Sequence, residues 1–340
     1  MGHPAIENNS PFAFEVLFLV DEELRPLVVP VIKGTFDIVS GHCRRAEKQL
    51  PVNVSGESWG EDPETSSYKY EPEVAFFKPA TDVVLVGQAH APRRGTTEMD
   101  VRLTVGPLHK HLRVFGERMW LRAAGTVVTS PPVAFDAMPL VYERAFGGWD
   151  RRHPDPRHHA CDARNTVGTG WGLSLGEEGL RLPNLEDPKR LLQTFGDRPD
   201  PAGVGFVSPH WQPRAALAGT YDAAWQAERA PLLAKDFDRR HLNAASAGLV
   251  APGYLHGNER VVAEGVSTQG TLSFVLPAGP SPTVKVVRKD EPDIDLVANL
   301  DTVILEPDDG RVQLLWRTYG TLRTGPHDLR AVTISAPGWT

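Results

Sequence analysis

A mainly β protein is expected from three features of this chain. Its 340 residues include 30 prolines and 31 glycines, which interrupt helices and punctuate turns. Its apolar residues fall in short β-branched runs, some in strict alternation, bounded by turn residues. Helical signals are confined to short stretches in the middle of the chain. The pattern predicts two strand-rich, sandwich-like parts, 12–141 and 251–337. A Pro/Gly/Trp-rich connecting region with short helices, 142–250, joins them.

Each element has its own signal. Residues 12–39 read as strands that turn around Asp21-Glu22-Glu23, and 40–72 are polar and turn-rich. "TDVVLVGQAHAP" (81–92) is a buried-strand pattern closed by Gly and Pro. Val101, Leu103 and Val105 alternate before a turn at Gly106-Pro107, and Leu112, Val114 and Phe115 follow, which predicts a hairpin. In "EDPKRLLQTFG", Asp187 and Pro188 offer a helix start and Gly196 a stop. In "YDAAWQAERAP", Asp222 is the expected cap and Pro231 the terminator. From 251 onward strands return, with "PDDG" (307–310) as a hairpin turn between "TVIL" and "VQLLW".

Composition excludes several classes. A formal charge of −7 without long basic runs argues against nucleic-acid binding. The apolar run Phe12–Val20 contains Glu15 and is too short to span a bilayer. Gly2 follows Met1, but Ile6 stands where a myristoylation signal needs Ser or Thr. Two distant cysteines, Cys43 and Cys161, give no disulfide framework and suit a reducing compartment. The expected location is the cytoplasm, without processing.

Motifs for catalysis are incomplete. Gly56-Glu57-Ser58-Trp59-Gly60 and Gly172-Leu173-Ser174-Leu175-Gly176 match the G-x-S-x-G pattern. A nucleophile elbow needs a strand before the serine and a helix after it, and neither Ser58 nor Ser174 has that setting. Phosphate-loop glycine spacings are absent. The segment "AFGGWDRRHPDPRHHACDARNTVG" (145–168) gathers His153, His158, His159 and Cys161 among Asp150, Asp155 and Asp162, a candidate zinc set. Cys161 has no nearby cysteine partner, however, and Arg151, Arg152, Arg157 and Arg164 would oppose a cation. The reading favoured is a solvated polar loop, with no metal and no cofactor.

The non-periodic residues make a further pattern. In order come "KGTFDI" (33–38), "YEPEVAFFKPATDVVLVGQAHAP" (70–92), "GERMW" (116–120), "MPLVYERAFGGWD" (138–150) and "RNTVGTGW" (164–171). "LPNLEDP" (182–188), "PDPAGVGFVSPHWQPRAALAGTYDAAW" (199–225), "DFDRRHLNAA" (236–245), "HGNE" (256–259), "FVLP" (274–277) and "LDTVILEPDD" (300–309) complete it. The chain resembles, from about residue 15 to 335, a bacterial family of adaptors encoded in type VI secretion clusters beside PAAR-type spike tips and toxic effectors. Thr166, Thr169 and Trp171 depart from the Pro, Arg and Phe that the resemblance leads one to expect.

The resemblance implies one family-wide unit and a non-enzymatic adaptor or chaperone. Its partner would be a protein effector carrying a PAAR-type tip, and through it the trimeric spike. It implies no catalytic residues. Trp211, Arg214, Tyr221, Asp222, Trp225, Phe146 and Trp149 are the candidate partner-binding residues, because aromatic and arginine side chains dominate interface energetics. Each also has a structural reading: Trp225 as the core face of a short helix, Arg214 as a buried partner for Asp222. The Phe146-Gly147-Gly148 turn is expected to let backbone pass close to a neighbouring strand. The rivals are a hydrolase using Ser58, Ser174 or the histidines, and a carbohydrate-binding module, given eight tryptophans on a β scaffold.

Overall fold

The computed structural model describes residues 4–176 and 179–339. Sixteen strands build its three larger sheets, and thirteen of them matter here. They are β1 (Ala5–Asn9), β2 (Ala13–Val20), β3 (Pro26–Val39), β4 (Asp82–Leu85), β5 (Glu98–Val105) and β6 (Leu108–Phe115). After the connecting region come β7 (Arg260–Glu264), β8 (Leu272–Val275), β9 (Thr283–Arg288) and β10 (Ile294–Val297). The last are β11 (Asn299–Glu306), β12 (Arg311–Arg317) and β13 (Leu329–Ser335). The mainly β expectation holds.

Local alternation set the hairpins. β5 and β6 pair antiparallel from Leu108↔Val105 to Phe115↔Glu98, turning at Gly106-Pro107. β11 and β12 pair antiparallel across the 307–310 turn. The principal sheet runs β2-β3-β12-β11-β4. The two strand-rich segments therefore share it: β11 and β12 lie between β3 and β4. β7 likewise pairs with β5 in the second sheet. One contiguous apolar core joins all three sheets, because each sheet has a hydrophobic face that must be buried.

The two faces of the principal sheet differ. One presents Ile32, Phe36, Leu314, Trp316, Val303 and Val83, all buried. Gly34 makes room there, since a Cβ would lie 2.8 Å from the Phe36 ring and 3.1 Å from those of Phe12 and Trp316. The other face carries the cross-strand row Lys33, Leu315, Thr302 and Asp82, with Gln313 and Glu306 on neighbouring rows.

Buried charge is stable only when paired and hydrogen-bonded. The segment 70–78 supplies the partners by crossing this face. Tyr70 donates its hydroxyl proton to Glu306. Lys33 Nζ lies 2.7 Å from Glu73 Oε1, and Arg317 donates to the Glu73 and Ala75 carbonyls. Lys78 Nζ lies 2.7 Å from Asp82 Oδ2 and 3.1 Å from Thr302 Oγ1.

In the connecting region the second expected helix forms as α1 (Ala223–Glu228), and Asp222 Oδ1 accepts from the Trp225 amide at 2.9 Å. The first does not form. Glu186 takes the Leu192 amide and Asp197 those of Gln193 and Thr194, all at 2.8 Å. These carboxylates replace the helical acceptors, while Leu192 packs with Trp120, Phe146, Leu175 and Leu182 in a second small core. Among the described residues no helix is long and apolar enough to cross a membrane.

Candidate binding cleft

The connecting region seals one end of the principal sheet. Along edge strand β4, the amides of Val83 and Leu85 donate to the carbonyls of Leu249 and Val204, both at 2.9 Å. Asp82 completes the closure: its carboxylate accepts from Asn243 Nδ2 at 3.0 Å and from the amides of Ala244 and Ala245. The "HLNAA" stretch is thus tied to the sheet by one buried carboxylate.

Between this seal and the loops 200–217 lies a cleft of about 460 Å³. Tyr142, Val207, Pro213, Leu217, Ala245 and Val250 give it apolar walls, and Arg164, Asp200, Arg240 and Asn243 supply polar groups. Tyr142 is anchored by a 2.6 Å hydroxyl contact with Ser246 Oγ, and burial pushes its phenol up to about 12. Arg214 also lines a second cleft of about 420 Å³, with Leu19, Val20, Glu71 and Phe76. Its guanidinium is fixed by Glu71 at 2.5 Å and by the Val207 and His241 carbonyls. The arrangement offers shape, apolar contact and charge at a rim, the features of a recognition site. Among the described residues, neither the Ser58 nor the Ser174 hydroxyl is hydrogen-bonded to a histidine.

The candidate residues separate by burial. Trp211 is 0% exposed, donates Nε1–H to Thr166 Oγ1 and meets the Tyr142 ring edge-on. Arg214 is buried, and its partner is Glu71, not the Asp222 that the sequence suggested. Phe146 sits in the small second core. Tyr221 is exposed, and its ring lies 4.9 Å from that of Trp225. The Trp225 ring is held in turn by an Nε1–H bond to the Leu232 carbonyl. Trp149 is 45% exposed, with the Arg151 guanidinium 4.6 Å over its ring.

The glycine-rich ends of 145–168 close on each other. Phe146-Gly147 pairs parallel with Thr169-Gly170. A Cβ at Gly147 would fall 2.2 Å from the Asn165 carbonyl oxygen, and φ there is +149°. Asn165, fully buried, donates Nδ2–H to the carbonyls of Tyr142 and Phe146. Close backbone approach at this turn was expected from the glycines.

Between those ends the aspartates follow one rule. Asp150, Asp155 and Asp162 each accept the backbone amide two residues on and the guanidinium of that same residue, Arg152, Arg157 or Arg164. Asp238 and Arg240 repeat it. The D-x-R spacing is the signal for this Asx turn with a bidentate clasp. The His153 and His158 rings lie with centroids 4.3 Å apart and planes tilted by 50°, and His159 Nε2 lies 2.8 Å from the His153 carbonyl oxygen. Among the described residues, no group of three His, Cys, Asp or Glu side chains converges to hold an ion.

Several residues here escaped sequence reasoning. Asp82, Lys78, Glu71 and Asn243 act through contacts distant in sequence, 161 residues for Asp82 with Asn243, 143 for Glu71 with Arg214 and 224 for Lys78 with Thr302, and only the motif stretches containing them hinted at a role. No curated protein and no solved structure matches the chain. Residues 23–317 match the profile of a bacterial family, DUF2169, described as an uncharacterized protein conserved in bacteria, and the chain belongs to that family.

Proposed function

We propose that this protein is a non-enzymatic adaptor or chaperone that binds a type VI secretion effector, or its PAAR-type tip, in the cytoplasm and helps load it on the spike. The single observation that carries the reading is where the motif residues meet. Tyr142, Arg164, Asp200, Val207, Arg214 and Asn243 come from four stretches that resemble the adaptor family, and together they line the 460 Å³ cleft. Residues so dispersed in sequence converge on a surface suited to recognition.

The test is reconstitution. The purified chain, mixed with the product of the effector or PAAR gene beside its own, should elute as a stable complex on gel filtration. Failure of every such neighbour to bind, together with stoichiometric zinc in the purified protein, would overturn the proposal in favour of a metal-dependent role.

A further inference from the structure

The principal sheet ends differently at its two sides. Edge strand β4 is sealed by the connecting region, as described above. Edge strand β2, eight residues long, has no described residue bonded to its outer side. Pro26 and Pro30 on β3 lie opposite Val20 and Val16. Proline has no N–H to give, so these are the non-hydrogen-bonded pairs of the antiparallel ladder. The Pro30 carbonyl accepts from Thr318 on the far side, which fixes that phase. The N–H and C=O groups of Phe14, Val16, Phe18 and Val20 therefore point outward from the sheet.

Natural edges are blunted by charge, proline, bulges or a covering loop. β2 reads "AFEVLFLV", has Phe18 37% and Val20 46% exposed, and carries one charge, Glu15. Its Leu19–Val20 end opens into the second cleft, about 420 Å³, walled by Val74, Ala75 and Phe76. An added strand would gain backbone hydrogen bonds along the edge and could place a side chain in that cleft.

We infer that the outer edge of β2 is a strand-addition site for an extended segment of the protein partner, apolar at alternate positions and basic opposite Glu15. The inference rests on the adaptor reading for the partner's identity. Glu15 and the formal charge of −7 select the basic residue by complementarity. A second copy of this chain fits poorly. Antiparallel self-pairing about a two-fold axis with extensive overlap sets Glu15 against Glu15, Leu17 or Leu19, so the carboxylate meets a like charge or an apolar neighbour.

The experiment uses the full chain and two probes: the neighbouring gene product, and a synthetic peptide of alternating valine and threonine with one central lysine. Hydrogen exchange in peptides covering 13–20 should slow with both. Phe18→Pro removes an outward N–H together with a part-exposed ring, and Val20→Lys adds charge at an exposed site. Either should weaken binding about tenfold or more. A complex that forms without protection of 13–20, and is indifferent to both variants, overturns strand addition and leaves the adaptor reading standing. Protection by the peptide alone, with no complex, keeps the edge site and sinks the adaptor reading. No protection with either probe overturns the site, and self-association with β2 protected makes a second copy the occupant and overturns the inference as stated.

Discussion

Lys78 and Asp82 form an ion pair with Nζ 2.7 Å from Oδ2, and both side chains are buried. The pair joins the segment that crosses the sheet to the strand that the connecting region covers. Asp82 serves two masters, since Asn243 and the amides of Ala244 and Ala245 share its carboxylate. Asp82→Ala should therefore leave a buried ammonium and unpaired amides, costing about 3–5 kcal/mol. Urea unfolding would show this as a lower midpoint. A loss below ~1 kcal/mol would mean that water reaches Lys78 freely.

What was legible in the sequence was local. The 98–115 hairpin and the turn at 307–310 follow from alternation and turn residues within a few positions, and both formed. The principal sheet was not legible as one object, because β4 pairs with β11 more than two hundred residues away, through Thr302↔Asp82 to Leu305↔Leu85. The helix expected at 187–196 had a start and a stop signal, yet Glu186 and Asp197 captured its amides. Propensity is a weak prior against such competitors. The cleft was half visible: its motif stretches stood out, but residues such as Asn243 and Val207 carried no chemical signal of their own.

Acid should loosen the 150–173 region first. The Arg152 guanidinium beside Asp150, helped by the Leu173 and Arg152 amides, outweighs the effect of burial and holds that carboxyl well below the usual carboxylate range. A lowered folded-state pKa gives stability that is present above the unfolded value, near 4, and lost as pH falls toward the folded one. Asp150→Asn should thus cost about 1 kcal/mol at pH 7, given the partial exposure of Arg152. The difference from the parent should shrink as pH drops below about 4. Equal differences at pH 7 and pH 3 would show that the charge of Asp150 contributes nothing.

The Cys43 thiol should be slow. Both cysteines are free, and burial pushes the Cys43 thiol up to about 12. At pH 8 roughly one Cys43 in ten thousand is then thiolate, the reactive form. Burial, then Asp162, also raises Cys161. With an aromatic disulfide reagent at pH 8, Cys43 should label only as the protein unfolds, and Cys43→Ser should leave any fast phase intact. A fast phase abolished by Cys43→Ser would show that β3 and its neighbour 42–45 open readily.

Trp211 and Trp149 were equal candidates as sequence, and burial separates them. Trp211 has no exposed surface and touches Tyr142, part of the cleft's apolar wall, while its indole N–H is satisfied by Thr166. Truncation to alanine should cost about 3–5 kcal/mol, as for other large core side chains. Partner binding should fall with it, because Tyr142 loses its packing. Trp149 is half exposed, with the Arg151 guanidinium over its ring, so Trp149→Ala should change stability by no more than about 1 kcal/mol. Any loss of partner binding in that variant reports contact rather than unfolding. Measuring urea midpoints and complex formation for both separates the roles. If Trp211→Ala kept parental stability, the loop 199–217 would not be fixed by this ring, and the cleft wall at Tyr142 would lack the anchor that the binding role needs.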